Sequence, residues 1–388
     1  MSILSAEKNG GSRHFTNLNG LRTIAFLFVF LQHASSEWIH GIDVQSGWQG
    51  KILRLFFVSG DIGVSAFFVL SGFLITHLLL HEKKNTGQIN IPNFYMRRLL
   101  RIWPLYLAVL IYGFGIFPLI KEAMGLTVTS KNNFIYYFSF LSNFDVISNE
   151  RMLTNDPQIS VTWSIAVEEQ FYLIWPLLFT FLNKAYLKWT FLAIIIGCEV
   201  FRMMNNDDMI VLYFHSLSVI ADLALGGLAA YYAFYSDRFI TTVAQLSKHL
   251  VAAVYFAGLI WLVFGESLLP VAAYNTLSRL INTVFFVFII LEQCYCNQSF
   301  FKFSKLGLLS SWGKYTFGLY LLHPIVLRFV EMSVRKIFNL QADVLHANFG
   351  YTALQACVTL AFSMLVSYIS YEYFEKFFLN LKSRFSHS

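Results

Sequence analysis

Apolar residues in this chain run in long blocks separated by short polar connectors. Ten blocks stand out, at 21–37, 62–81, 102–120, 161–183, 187–203, 209–235, 249–264, 270–291, 316–334 and 348–375. A hydrocarbon core about 30 Å thick takes about 20 residues of helix to cross. Only helices and closed barrels satisfy their own backbone there, and a barrel strand needs only about ten residues. The pattern therefore predicts an all-α polytopic membrane protein of ten transmembrane helices. It divides into a polar segment at 1–17, one membrane domain at 18–378 and a tail at 379–388. The aromatic stretch Asn133–Ser148 is short and carries Asn143 and Asp145, so it reads as an interfacial or re-entrant piece on the outer side.

Composition agrees with the blocks. Hydrophobic residues make up 56% of the chain and charged ones 13%, against about 25% charged in a soluble domain. The net charge of +6 is first a topology signal, and no nucleic-acid partner is expected. With the N-terminus inside, 18 of the 28 Lys and Arg residues fall on the cytoplasmic side. That asymmetry places both termini in the cytoplasm. A span at Asn133–Ser148 would reverse it. Cys198, Cys294, Cys296 and Cys357 sit in or beside apolar blocks and read as small buried hydrophobes. The first 20 residues are polar and show no signal peptide. The inverted repeats of many transporters are absent, and nothing sets an oligomeric state.

Four polar constellations interrupt the apolar blocks. In the first, His33 follows Arg22 by eleven residues, about 16 Å along a helix. That places an imidazole at mid-membrane, where ionisable groups are costly and usually functional. A base or nucleophilic relay fits it, and so does a structural hydrogen bond to a neighbouring helix. Asn17 or Asn19 could cap this helix, and Glu37, four residues on from His33, could pair with it or mark the helix end.

The second constellation is Arg97, Arg98 and Arg101, at the start of a block. Arg98 and Arg101 share a helical face. Guanidiniums in this position suit phosphate oxygens or simple positive-inside anchoring. The third contains Trp163, Ser164, Glu168, Glu169 and Tyr172. Ser164, Glu168 and Tyr172 share one face, with Glu169 about 100° away. The acids could hold a hydroxyl, orient an imidazole or bracket two helices. The fourth, Tyr320 to Pro324, sets His323 beside a proline that interrupts the backbone ladder, in a pocket-lining or a packing role. His77 and His81 have no third ligand nearby in sequence, so no metal is expected. Asp222, beside Gly226 and Gly227, suits a polar cavity or a bond to a neighbouring helix.

Read together, these motifs resemble acyltransferase family 3, the integral-membrane O-acyltransferases. The matching pieces are Leu18–Arg22 with His33, Gly63–Ile75 including Ser71, Arg97–Pro104, Trp163–Tyr172 and Tyr320–Pro324. They occur in the family order over about 18–324. The resemblance implies a co-substrate, acyl-CoA and most simply acetyl-CoA, with no tightly bound cofactor. The acceptor it implies is a hydroxyl of a glycan, a lipid-linked sugar or a lipophilic metabolite. It implies residence in the cytoplasmic (inner) membrane of a bacterium. By the same resemblance His33 is essential for transfer and Glu168 is the motif acid. The Arg98–Arg101 pair matches the family's donor-binding motif, Arg97 is expected to join that pair at the donor's phosphates, and Arg22, the companion of His33, is expected to contact the donor or fix the helix entrance. Glu37, Ser71, Trp163, Ser164, Glu169, Tyr172, Tyr320 and His323 form the acceptor side or support the site. Two positions depart from the family pattern, Asn19 and Ser65 standing where an acid is common. Glu168 and Glu37 are then the acids left to partner His33. A transporter or flippase for a glycan or lipid precursor is the competing class, with the arginine cluster and the missing repeat against it.

Overall fold

The computed structural model describes residues 15–40, 47–125, 131–151, 157–338 and 349–385, and these form helices and connectors with no strand. Every predicted block is helical over nearly all of its described residues. The ten long helices are α1 (Asn17–His40), α2 (Gly60–Thr86), α3 (Ile91–Ile111), α4 (Thr162–Phe181), α5 (Lys184–Met204), α6 (Ser216–Tyr235), α7 (Lys248–Leu268), α8 (Val271–Tyr295), α9 (Thr316–Phe338) and α10 (Phe349–Ile369). Seven helices among the described residues are long and apolar enough to cross a membrane, built on α2, α3, α6, α7, α8, α9 and α10. The other three, α1, α4 and α5, match them in length but carry more polar residues.

Boundaries shift where hydropathy is blind to helicity. α3 begins at Ile91, eleven residues before its apolar block, and continues through a π-turn at Tyr112–Ile116 into Phe117–Ala123. Its arginine-rich turns are thus helical although they are polar. The 209–235 block is two helices, because the backbone of His215 is extended and its side chain accepts from Leu217 N. Asn133–Ser148 holds two short helices, Phe134–Phe138 and Ser142–Arg151, too short to cross. They meet at Phe140, whose φ of 55° makes the tight reversal between them.

The chain resolves into two compact units, each assembled from three sequence segments. The first comprises residues 1–25, 62–91 and 171–314. Here α2 and α6 cross at paired glycines. A Cβ on Gly72 would lie 2.0 Å from the Leu223 carbonyl oxygen, and one on Gly226 2.2 Å from that of Val69. Only glycine permits that approach. Asp222, fully buried on α6, accepts from Arg279 Nε at 2.9 Å and Nη2 at 2.7 Å, and from Ser65 Oγ at 2.9 Å. Thr283 Oγ1 donates to its other oxygen at 2.5 Å. Asp222 thus bonds its neighbours on α2 and α8. The rings of His77 and His81 pack 4.3 Å apart, tilted by 49°, between Phe15 and Phe234. Cysteine packing follows the prediction at Cys198 and Cys296, whereas Cys357 is exposed. An outward position on α10 is no penalty for a small apolar side chain whose surroundings are lipid.

The second unit comprises residues 26–61, 92–170 and 315–388. The two short helices are pinned to it by Tyr106, which donates to Tyr137 O at 2.6 Å, and by Gln170, which donates to Phe140 O at 2.8 Å and Asn143 Oδ1 at 3.0 Å. α9 packs against α10, with Gly318 letting Ser367 and Glu375 approach. His33, Arg97, Arg98, Arg101, Trp163, Ser164, Glu168, Glu169, Tyr320 and His323 all lie in this unit.

Candidate active site

α1 presents Phe26, Phe30 and His33 on one face, at the i, i+4, i+7 spacing of a helix. Both phenylalanines are 1% exposed and meet His323 edge-on, at 5.6 Å and 6.1 Å. The two histidine rings stack at 5.1 Å with an interplanar angle of 16°, and His33 Nδ1 lies 2.8 Å from His323 Nε2. His323 is fully buried, and its Nδ1 lies 2.9 Å from the Leu319 carbonyl. The sequence reading looked for a carboxylate partner to His33. Among the described residues His33 meets another imidazole, 290 residues away. Glu37 lies on α1, but its side chain falls outside the described residues.

Beside the histidines, Tyr320 and Ser164 share a bond of 2.7 Å, and both reach the Val161 carbonyl at 3.2 Å. Two hydroxyl hydrogens serve these three contacts, which hold the first turn of α4 against α9. They explain the buried Ser and Tyr of two separate motifs together. Trp163 is buried in the same turn. Glu168 lies within electrostatic range of Tyr320 and Glu169. Glu169 is close to Arg98 and Trp103, and its Oε1 is buried with no hydrogen-bond partner among the described residues.

The three arginines diverge as their helical spacing requires. Arg97 Nη1 donates to the Phe385 carbonyl at 2.8 Å. Arg98 lies over the Phe94 ring at 5.9 Å and faces Glu169. Arg101 is exposed and within electrostatic range of Glu375. The terminal turn Lys382–Phe385, read from sequence as part of a tail, brings Lys382 into range of all three arginines. Lys382 is the residue that sequence reasoning missed, having been counted only as one more cytoplasmic charge. Four cations with two carboxylates at hand make a patch suited to a polyphosphate.

The remaining site residues belong to the first unit. Arg22 donates to Asn19 Oδ1 at 2.8 Å, and Asn17 bonds Gln293 O and Ser304 N. The side chains read as helix caps therefore have these partners, which local sequence could not show. Ser71 adjoins the Gly72 crossing on α2, and Tyr172 is buried on α4. Ser65, where the family pattern often has an acid, bonds Asp222.

Comparison with known proteins follows the same outline. A family model described as an acyltransferase domain matches residues 15–372. O-acetyltransferase OatA of Staphylococcus aureus strain NCTC 8325 / PS 47 is 28% identical over 338 residues, covering 84% of this chain and 52% of the relative. A putative O-acetyltransferase of S. aureus strain COL is 30% identical over 232 residues, covering 56% of this chain and 35% of the relative. The chain spans about half the length of OatA, and no solved structure matches it. With the family model covering nearly its whole length and several helices apolar enough to span, the chain is an integral membrane protein that belongs to acyltransferase family 3.

Proposed function

We propose that this protein is a membrane O-acyltransferase. In this reading it moves an acetyl group from acetyl-CoA to a hydroxyl of a glycan, a lipid-linked sugar or a lipophilic metabolite, in a bacterial cytoplasmic membrane. The observation that carries the reading is the pairing of half-buried His33 with fully buried His323, set in a family of acyltransferases. Its relatives named O-acetyltransferase support the acetyl group and the oxygen acceptor. The lysine and arginine asymmetry supports ten spans with both termini inside.

His33 is the general base. It takes the acceptor's hydroxyl proton as the oxygen attacks the thioester carbonyl. The carbon–sulfur bond breaks, and the departing thiolate of coenzyme A recovers the proton from His33. Arg97, Arg98, Arg101 and Lys382 hold the donor's phosphates. Glu168 and the Ser164–Tyr320 contact shape the acceptor side.

Thermal unfolding of the purified protein with and without coenzyme A tests the donor assignment. Stabilisation by coenzyme A that falls with added salt is expected, as is none from pantetheine, which lacks the nucleotide phosphates. Equal stabilisation by pantetheine, or none by coenzyme A, contradicts it and favours a transporter. Brief exposure to labelled acetyl-CoA without acceptor separates direct transfer from an acyl-histidine relay, since only the relay leaves label on the protein.

A further inference from the structure

We propose that His323 is a positioning residue that fixes the tautomer of His33 and so selects Nε2 of His33 as the proton-accepting atom. The inference rests on His33 being the base, as argued above.

A chain of donors and acceptors runs from the α9 backbone through His323 to His33. The Leu319 carbonyl can only accept, so His323 Nδ1, 2.9 Å away, carries a hydrogen. In a neutral imidazole the other nitrogen is then an acceptor. His323 Nε2 lies 2.8 Å from His33 Nδ1, so the hydrogen between them belongs to His33. A neutral His33 protonated on Nδ1 keeps its lone pair on Nε2. The backbone of α9 thus dictates, through two rings, which nitrogen of α1 accepts a proton.

Packing holds the relay in register. Phe26 and Phe30 sit edge-on to His323, and Tyr320, tied to Ser164, lies 6.2 Å from it. Neither histidine ring can turn far without losing these contacts. When His33 takes the hydroxyl proton on Nε2, its Nδ1–H still donates to His323, which accepts without being protonated. When the thiolate leaves, the proton departs from Nε2 and the original tautomer returns. Catalytic triads assign the orienting role to a carboxylate. A neutral imidazole does it here without burying a second charge at membrane depth.

Nitrogen-15 NMR of the protein labelled at histidine, in lipid nanodiscs, tests the assignment without any substitution. His33 is expected to show a protonated Nδ1 and an unprotonated Nε2, with His323 in the same tautomer. Variants give a second readout. His323→Gln offers an amide oxygen to His33 Nδ1–H and is expected to retain transfer within about tenfold. His323→Leu offers none, and its kcat is expected to fall on the order of a hundredfold or more, with KM for acetyl-CoA unchanged. Protonation of His33 on Nε2, or wild-type kcat in His323→Leu, overturns the proposal. Full transfer by His33→Ala would instead overturn the reading of His33 as base, so the two failures are distinguishable.

Discussion

At the residue scale, the site is explained by which polar atoms are satisfied and by whom. Tyr320 and Ser164 complete each other and share Val161 O, so Tyr320→Phe leaves Ser164 with the carbonyl alone. Losing a buried hydroxyl bond of this kind costs about 1–3 kcal/mol. A lowered unfolding midpoint is expected, with KM for acetyl-CoA unchanged; a raised KM would place Tyr320 at the donor instead. For Arg98, which faces Glu169, substitution by Ala is expected to remove most of the coenzyme A stabilisation. Retention of the full shift would remove Arg98 from the donor site. The candidate residues themselves were legible in the sequence because an imidazole, a carboxylate or a cluster of guanidiniums in an apolar block is rare and costly. Their partners were not. His33 and His323 are 290 residues apart and Asp222 and Arg279 57 apart. No local spacing encodes either contact.

At the element scale, helices are held by close approach and by buried ion pairing. Gly72 and Gly226 place the α2 and α6 backbones within a distance no side chain permits. Gly72→Val forces them apart, and overpacking of this kind costs about 1–3 kcal/mol. Thermal unfolding checks this, and an unchanged midpoint would mean the crossing relaxes freely. The Asp222–Arg279 pair, 2.7 Å apart with Asp222 fully buried, is matched by Ser65 and Thr283. Arg279→Leu alone strands a buried carboxylate and is expected to cost about 3–5 kcal/mol, whereas adding Asp222→Leu recovers much of that loss. Simple additivity of the two losses would show that the pair is not coupled. Helix existence was legible, since each block is long and apolar. Helix boundaries were less so, because the polar first turns of α3 and the break at His215 follow capping and side-chain contacts that hydropathy does not register.

At the scale of the whole molecule, the account is one of division of labour within an acyltransferase fold. One unit carries the glycine crossing and the buried Asp222–Arg279 network. The other gathers the histidine pair, the arginine cluster and the acids of α4. The terminal turn belongs with the arginines, since Arg97 bonds the Phe385 carbonyl. Truncation before Lys382 is therefore expected to weaken coenzyme A stabilisation with helix content unchanged by circular dichroism. An undiminished shift would separate the turn from the donor site. The central claim is that His33 performs acyl transfer, and its most direct test is mass spectrometry of envelope glycans and lipids. The samples are cells making the wild-type or the His33→Ala protein at equal membrane levels. One species heavier by a single acetyl group, present with the wild type and absent with the variant, is the predicted result; equal acetylation by His33→Ala would contradict the account.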